Sequence, residues 1–319
     1  ILFSSYGWND RRNSGVIQKG IAEIKIESGT DTLKDFAETI VGSSKQGDWI
    51  DGDQGTVASL DANLSTQTLT VKGIPGKGNV SAKVVSFENV RGTKLDDVIV
   101  GDNKSNNLIG DSGNDTIKSG GGKDTIDAGS GNDIITVTNA NDGSTTVITG
   151  AGRDTITFTK TYYDSLSNSG AEALTITDFS AGKLGDLLDL SELFTDVAVG
   201  FDGSNPILNG YIDLVKDVDD VKLQFDGDGA FDTAFSAVTI ALLKNTKRTD
   251  LDKTNFNPAF DIPPPTIQGT NRSERINGTD EGEWIYAYNG FDNINAKGGD
   301  DRLYGGYGND TLSGGAGDD

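Results

Sequence analysis

Acidic residues recur every nine positions from residue 269 to the end of the chain, in a repeat that never slips in phase. Glycine is frequent at positions one, two and four of each nonapeptide, where it lets the chain adopt positive φ and turn tightly. The carbonyl oxygens of such a turn point inward and meet the carboxylate of position six. Together they form the all-oxygen ligand set that a hard cation such as calcium prefers. The position-six residues are Glu274, Glu283, Asp292, Asp301, Asp310 and Asp319.

A second run with the same period covers residues 92–136. Its position-six residues are Asp97, Asn106, Asp115, Asp124 and Asp133, and a separate repeat places Asp154 in the same position. Asn106 supplies a carbonyl oxygen without charge, so we expect an ion beside it to bind more weakly. Tracts rich in Gly, Asp and Asn are often disordered. Disorder, however, gives no reason for a large aliphatic residue two places after position six in both runs.

Very short strands must position these carboxylates. The three residues after position six are expected to form a strand whose central aliphatic side chain faces inward. Two nonapeptides make one coil, so residues eighteen positions apart lie on the same edge, and each ion would lie between successive turns. The expected stacks are Asp97 with Asp115 and Asp133, Asn106 with Asp124 and Asp142, Glu274 with Asp292 and Asp310, and Glu283 with Asp301 and Asp319.

The segment GGYGNDTLS, residues 305–313, fits the pattern GGxGxDxUx at every position, where U is a large aliphatic residue. This pattern resembles the RTX (repeat-in-toxin) family. The resemblance implies an all-β fold in which right-handed parallel β-roll segments, a form of β-solenoid, are separated by a β-rich module. The first two nonapeptides after residue 268 carry Thr and Glu in place of Gly and Asp, and we expect them to be degenerate capping turns.

The resemblance also implies which residues bind metal. Several Ca2+ ions are expected as cofactors, held by position-six acids and by the glycines of the same turns. The candidate ligands are Asp97, Gly110, Gly113, Asp115, Gly122, Asp124, Gly131, Asp133, Asp154, Gly290, Asp292, Gly299, Asp301, Gly308, Asp310 and Asp319.

The region between the two runs has a different character. Residues 173–194, ALTITDFSAGKLGDLLDLSELF, together with residues 209–243 resemble the type I secretion target module of large RTX adhesins. The resemblance implies export in one step without a cleaved N-terminal signal. In that family the module closes the chain, whereas here a second roll follows it. We therefore interpret the module as an internal structural spacer.

These observations predict five parts. They are an irregular β-rich opening region at residues 1–90, an RTX β-roll at 91–157, a β-rich module at 158–260, a proline-rich linker at 261–268 and a second, truncated roll at 269–319. The chain contains no methionine and stops within a nonapeptide, and we interpret it as part of a longer protein.

Composition narrows the possible functions. The chain has 49 acidic and 27 basic residues and a net charge of −22. Carboxylates packed into a narrow roll repel one another unless cations neutralise them, and a basic stripe for nucleic acid is missing. The absence of Cys and His removes thiolate and imidazole chemistry and the usual zinc sites. No stretch approaches the roughly 20 apolar residues of a membrane span.

The leading hypothesis is a secreted, calcium-binding structural protein of the bacterial cell surface, either a surface-layer subunit or an adhesin stalk. It would fold on calcium binding outside the cell, and it is not expected to be an enzyme. Its expected partners are calcium, further copies of itself in a lattice or filament, and a cell-surface polysaccharide. The alternative is an accessory region of a secreted RTX enzyme or toxin whose active domain lies outside this chain. A hydrolase with a pair of carboxylates is the least favoured hypothesis, because the acids fall where the repeat places them.

Overall fold

The computed structural model describes residues 2–4, 23–25, 39–41, 47–52, 58–74, 78–138, 144–169, 172–229 and 237–319. The chain forms two compact units, Ile1–Phe260 and Asp261–Asp319.

Short strands are the commonest regular element in the described part of the first unit, and they form one sheet of eleven strands and one of ten. Its helices are α1 (Lys160–Ser169) and α2 (Ser191–Asp196), and 3-10 turns lie at Arg248–Asp250 and Lys253–Asn255. The strands are β1 (Leu2–Ser4), β2 (Glu23–Lys25), β3 (Thr39–Val41), β4 (Trp49–Asp51), β5 (Ser59–Asn63), β6 (Thr68–Ile74), β7 (Gly78–Val85), β8 (Asn89–Arg91), β9 (Val98–Val100), β10 (Asn107–Ile109), β11 (Thr116–Lys118), β12 (Thr125–Asp127), β13 (Ile134–Val137), β14 (Thr146–Ile148), β15 (Thr155–Phe158), β16 (Leu174–Ile176), β17 (Leu187–Asp189), β18 (Ile212–Asp217), β19 (Asp220–Phe225), β20 (Val238–Leu243) and β21 (Phe256–Asn257).

Successive strands of the repeat alternate between the two sheets. Strands β8, β10, β12 and β14 run parallel in the eleven-stranded sheet, and β9, β11, β13 and β15 run parallel in the ten-stranded sheet. Asn107 pairs with Thr125 and Thr116 pairs with Ile134, so neighbours are eighteen residues apart. The predicted all-β fold with a parallel β-roll is confirmed. The apolar side chains that point inward are fully buried, namely Val90, Ile99, Leu108, Ile117, Ile126, Ile135, Val147 and Ile156.

The eighteen-residue register lengthens once along the first roll. Thr125 pairs with Thr146 and Ile134 with Thr155, a separation of 21 residues in both sheets. Both steps cross residues 139–143, which lie outside the described part of the chain. Three extra residues at this point therefore shift the phase of the repeat for everything that follows.

Both sheets continue past the repeats. On one side β4 pairs with β8 and β5 with β9, and on the other β16 pairs with β14 and β17 with β15, all in parallel. Antiparallel strands β6, β7, β18, β19 and β20 extend the sheets further. The sheets thus pass without interruption through residues 90 and 157, where we expected boundaries. The five-part division stays a prediction.

The second unit is a smaller roll with a thin core. Strands β22, β24 and β26 form one parallel sheet and β23, β25 and β27 form the other. Strand β22 lies within the segment expected to be a linker. The strands are β22 (Thr266–Gln268), β23 (Arg275–Asn277), β24 (Trp284–Tyr286), β25 (Asn293–Gly298), β26 (Arg302–Tyr304) and β27 (Thr311–Ala316). The buried core consists of Ile276, Ile285, Ala287, Ile294 and Ala296.

Candidate metal centre

Most of the position-six acids lie directly before a strand and are buried, which is unusual for a carboxylate. Asp154 is fully buried, and the other acids of this kind in the first roll are nearly so. Burial of an ionised group is costly unless a partner compensates its charge. The hydrogen bonds of these carboxylates therefore decide what the turns can bind. The nearly or fully buried acids before strands are Asp97, Asp115, Asp124, Asp133, Asp154, Glu283, Asp292 and Asp301.

One oxygen of each aspartate in this set binds the preceding turn on the same edge, whereas Glu283 accepts from Thr279 of its own turn. Oδ1 of Asp115 accepts the amide N–H of Asp97 at 2.8 Å, and Oδ1 of Asp133 accepts that of Asp115 at 2.7 Å. The structure therefore brings together the residues that the sequence predicted to stack. The same bond joins Asn106 to Asp124, Glu274 to Asp292, Asp292 to Asp310, Glu283 to Asp301 and Asp301 to Asp319.

The structure differs from the predicted stacks in two details. Asp142 lies outside the described residues, and its expected place after Asp124 is taken by Thr145, because Thr146 donates its N–H to the carbonyl of Asp124 at 2.9 Å. The row that contains Asp133 continues instead with Asp154, whose Oδ1 accepts the amide N–H of Asp133 at 2.8 Å. Both differences follow from the three extra residues in the loop before β14.

This row has one further member, Asp186, that was not predicted from the sequence. Oδ1 of Asp186 accepts the amide N–H of Asp154 at 3.0 Å, so the row reaches into the region after the repeats. Its Oδ2 accepts the N–H of Ser180 at 2.9 Å and the hydroxyl of Thr149 at 3.1 Å. The signal was present, because Leu188 follows Asp186 at the spacing that the repeats use, but Ala181 and Leu184 stand at positions one and four, where the repeats favour glycine.

The second carboxylate oxygen is the feature that points to a metal. Within the described residues, Oδ2 is buried without a hydrogen-bond partner in Asp115, Asp124, Asp133, Asp154, Asp292 and Asp301. A buried and unpartnered charged oxygen costs roughly 1–3 kcal/mol or more. An unpartnered carboxylate oxygen in six equivalent places indicates that a positively charged ligand binds there.

The backbone of these turns directs further oxygens toward the same place. Position four has positive φ in every such turn, at Gly113, Gly122, Gly131, Gly290, Gly299 and Gly308 among others. Position two also has positive φ, even where it is Asp111 (75°), Tyr288 (70°) or Lys297 (81°). Such a conformation costs a residue with a side chain of the order of 1–3 kcal/mol, so the surrounding turn must enforce it.

Gly110 lies close to both the carboxylate of Asp115 and the main-chain carbonyl of Ala128. A Cβ atom on Gly110 would lie 2.5 Å from Oδ2 of Asp115 and 2.2 Å from the carbonyl oxygen of Ala128 in the next turn of that edge. Among the described residues, no main-chain amide donates to the carbonyl of Gly110 or Ala128, or to those of Gly113 and Gly131. These oxygens are therefore available to a cation, and calcium accepts six to eight such ligands at roughly 2.3–2.6 Å.

The chemistry of the donors fits calcium. In the part of the chain that the structure describes, no three acidic side chains come together. An ion between two turns would therefore be bound by one or two carboxylates and otherwise by main-chain carbonyls. Calcium tolerates this mixed, irregular oxygen shell, whereas magnesium demands a compact octahedron and usually retains water.

Burial of these carboxylates opposes their ionisation when no cation is present. Loss of solvation raises the pKa of Asp115 to about 8, helped by the charges of Asp97 and Asp133. The same cause raises the pKa of Asp124 and Asp154 to about 7 and that of Asp133 to about 6. At neutral pH these carboxylates therefore favour the binding of a positively charged partner, either a proton or a metal cation.

Asp97 differs from the other candidate ligands. Its Oδ1 accepts the N–H of Leu60 at 2.6 Å and its Oδ2 accepts the N–H of Thr93 at 2.5 Å. Neither oxygen is left without a partner. Asp310 and Asp319 accept the amide N–H groups of Asp292 and Asp301, but both are more exposed than the acids before them.

The fold and these turns together define a parallel β-roll of the calcium-binding type. The family of RTX calcium-binding nonapeptide repeats matches residues 100–135, 139–157 and 286–319, in four copies. Repeats of this family bind Ca2+, so calcium is the cofactor of the roll. The chain thus contains RTX calcium-binding repeats that form a β-roll, as the sequence predicted.

Other comparisons add little. One of 34 matching chains of solved structures is described as the solution structure of the AlgE6R3 subunit from the Azotobacter vinelandii mannuronan C5-epimerase. It is 23% identical, the match covers 51% of this chain and 78% of that chain, and the TM-score is 0.23. No curated protein matches the sequence significantly. Within the described residues, no helix is long and apolar enough to cross a membrane.

The pKa values predict how the calcium-free roll responds to pH. The folded carboxylates have pKa values of about 6–8, whereas unfolded Asp has a pKa of about 3.9. The stability of the calcium-free roll therefore falls as the pH rises from about 4 to about 8. Metal-free protein should therefore show more β-structure by far-UV circular dichroism at pH 5 than at pH 8. The Asp115→Asn/Asp124→Asn variant should have a flatter profile. A calcium-free stability that rises with pH would contradict this assignment.

Removal of one unpartnered oxygen should remove one site. Asp115→Asn keeps an acceptor for Asp97, and Asn106 already occupies the equivalent place in another turn. We expect fewer bound ions by isothermal titration calorimetry and a higher calcium midpoint of folding. Asp96→Asn is the matched control, because it removes the same charge while an exposed Oδ1 still accepts from Asn114. Equal effects of both variants would mean that general charge repulsion, and not a site, is responsible.

Proposed function

We propose that this chain is a secreted structural protein of the bacterial cell surface whose rolls become rigid when calcium enters their turns outside the cell. The observation that carries the proposal is the row of buried carboxylate oxygens without partners at equivalent places in both rolls. RTX repeats are calcium-binding, not catalytic, and they are typical of secreted proteins.

The proposed ions lie between successive turns on each edge. Each would be bound by a position-six carboxylate and by carbonyl oxygens of the glycine-rich turns beside it. We assign these sites to Asp115, Asp124, Asp133, Asp154, Asp292, Asp301, Asp310 and Asp319, with Gly110, Gly113, Gly122, Gly131, Gly290, Gly299 and Gly308 in the adjoining turns.

The energy of ion binding is large enough to control folding. A site with a Kd of about 10⁻⁴ M in about 1 mM calcium stabilises the folded state by roughly 1.4 kcal/mol. Six such sites contribute about 8 kcal/mol, which is comparable with the whole stability of a typical domain, about 5–15 kcal/mol. The rolls would thus stay open in the low calcium of the cytosol and fold on exit.

A structural role is favoured over catalysis by the arrangement of the acids. The buried carboxylates follow the nonapeptide period, and each aspartate such as Asp115, Asp133 or Asp154 already has one oxygen bound to the neighbouring turn. An accessory region of a secreted enzyme or toxin remains the alternative function. Its active domain would then lie outside this chain.

A calcium titration tests the proposal directly. Far-UV circular dichroism of calcium-free protein should show a cooperative gain of β-structure at sub-millimolar to millimolar calcium, and none with magnesium. Electron microscopy of the same samples separates the two functions, because a surface-layer subunit should form sheets or filaments when calcium is added. A calcium-free protein that is already fully folded would contradict the proposal.

The second roll presents an edge that suits a polysaccharide. Tyr288, Phe291 and Tyr307 lie on stacked turns of one edge and are exposed, Phe291 by 68% and Tyr307 by 85%. The rings of Tyr286 and Tyr304 stack nearby at 4.6 Å. Flat rings beside amide groups, such as the pair Asn289–Asn271, are the chemistry that binds sugar rings, and exposed aromatic clusters often mark binding sites.

Loss of these rings should weaken binding to surface glycan. Phe291→Ser/Tyr307→Ser should reduce retention on beads that carry purified bacterial cell-surface polysaccharide by roughly thirtyfold, since each anchor contributes about 1 kcal/mol. Leu184→Ser is the control, because Leu184 is 83% exposed but lies outside both rolls. Unchanged retention of the double variant would remove the polysaccharide from the list of partners.

A further inference from the structure

The turns of the two rolls fall into two classes according to position four. In eight turns that residue is a glycine with φ between 94° and 151°. A Cβ atom on Gly131 would lie 1.7 Å from the carbonyl oxygen of Gly113, so no side chain fits there. We name these eight the open turns. In four described turns the residue carries a side chain and does not have positive φ, and we name these the closed turns. Their position-four residues are Leu95, Lys104, Arg272 and Glu281.

Each closed turn uses a hydrogen bond within itself that the open turns lack. The N–H of position two donates to the side-chain oxygen of position six, from Thr93 to Asp97 at 2.5 Å and from Asp102 to Asn106 at 2.9 Å. The hydroxyl of Thr93 donates to the same carboxylate. In the second roll the equivalent bonds run from Thr270 to Glu274 and from Thr279 to Glu283.

These bonds take the place of an ion. Oδ2 is buried and unpartnered in six of the open turns, whereas none of the closed turns has such an oxygen. Glu283 accepts from both the N–H and the hydroxyl of Thr279, as Asp97 does from Thr93, and Asn106 carries no charge at all. A closed turn therefore satisfies its buried polar atoms with hydrogen bonds alone.

The closed turns have the same place in both rolls. They are the first two turns, at residues 92–106 in the first roll and 269–283 in the second, and open turns follow them. At the far end of the first roll, Asp186 is also satisfied by hydrogen bonds, from Ser180 and Thr149. The open turns of the first roll thus lie between segments that need no ion.

We propose that glycine at position four decides whether a turn takes calcium, and that the two closed turns form an ion-independent start to each roll. This inference rests on the proposed calcium sites and adds which turns are excluded from them. In the calcium-free protein, the closed turns of the first roll stay formed and offer the first open turn an edge on which to fold.

Hydrogen exchange tests the ion-independent start. In calcium-free protein the amides of residues 92–106 should exchange at least tenfold more slowly than those of residues 119–133, and saturating calcium should protect both segments. Equal exchange of the two segments without calcium would overturn the inference. If calcium protected neither segment, the proposed calcium sites themselves would fail, so the two outcomes are distinguishable.

Conversion of a closed turn tests the role of position four. Thr279→Gly/Glu281→Gly/Glu283→Asp gives residues 278–283 the sequence pattern of an open turn. Calorimetry should then count one more calcium ion than in the unaltered chain. The matched control is Thr279→Gly/Glu281→Ala/Glu283→Asp, which keeps a side chain at position four and should gain none. An equal ion count for both variants would contradict the assignment to position four.

Discussion

The structure depends on one constraint: most turns of the two rolls bury a carboxylate that has two oxygens to satisfy. The main chain of the preceding turn binds one oxygen, as in Asp97 N–H to Asp115 Oδ1. Nothing in the roll's apolar core can satisfy the other. It needs either a cation or further N–H and O–H donors from its own turn. The two solutions occur side by side in this chain.

The strands depend on the turns, not the reverse. Each strand has about three residues and contributes one inward aliphatic side chain, such as Ile117 or Ile126. Such short strands are marginal by themselves, and a thin core cannot offset the repulsion of a chain with net charge −22. The pKa of Asp115 is raised further by Asp97 and Asp133 on either side. A cation at one turn therefore eases ionisation at the next, which links the turns of an edge into a cooperative row.

Much of the fold of the two rolls was predictable from the sequence, because a strict nine-residue period determines both the spacing of the strands and the stacking of the position-six residues. The repeat predicted the buried aliphatic residues and the pairs such as Asp115 with Asp133 without reference to any long-range contact. It could not predict the shift to Thr145, because three inserted residues change the phase. Asp186 was missed because its turn has Ala181 and Leu184 at positions one and four, and its carboxylate accepts from Ser180 and Thr149. The bond from Thr93 to Asp97 depends on backbone φ, which residue type alone only partly determines.

The distribution of the two kinds of turn is physically reasonable for a solenoid. In the second roll the first two turns begin the stack, so an ion there would have a neighbouring turn on one side only and would bind weakly. Thr270 and Thr279 satisfy these turns with hydrogen bonds, which removes the need for an ion where the shell would be poorest. The interior turns have neighbours on both sides and can complete the shell. The calcium affinity of the interior turns can then determine when those turns fold, while the first turns do not depend on calcium.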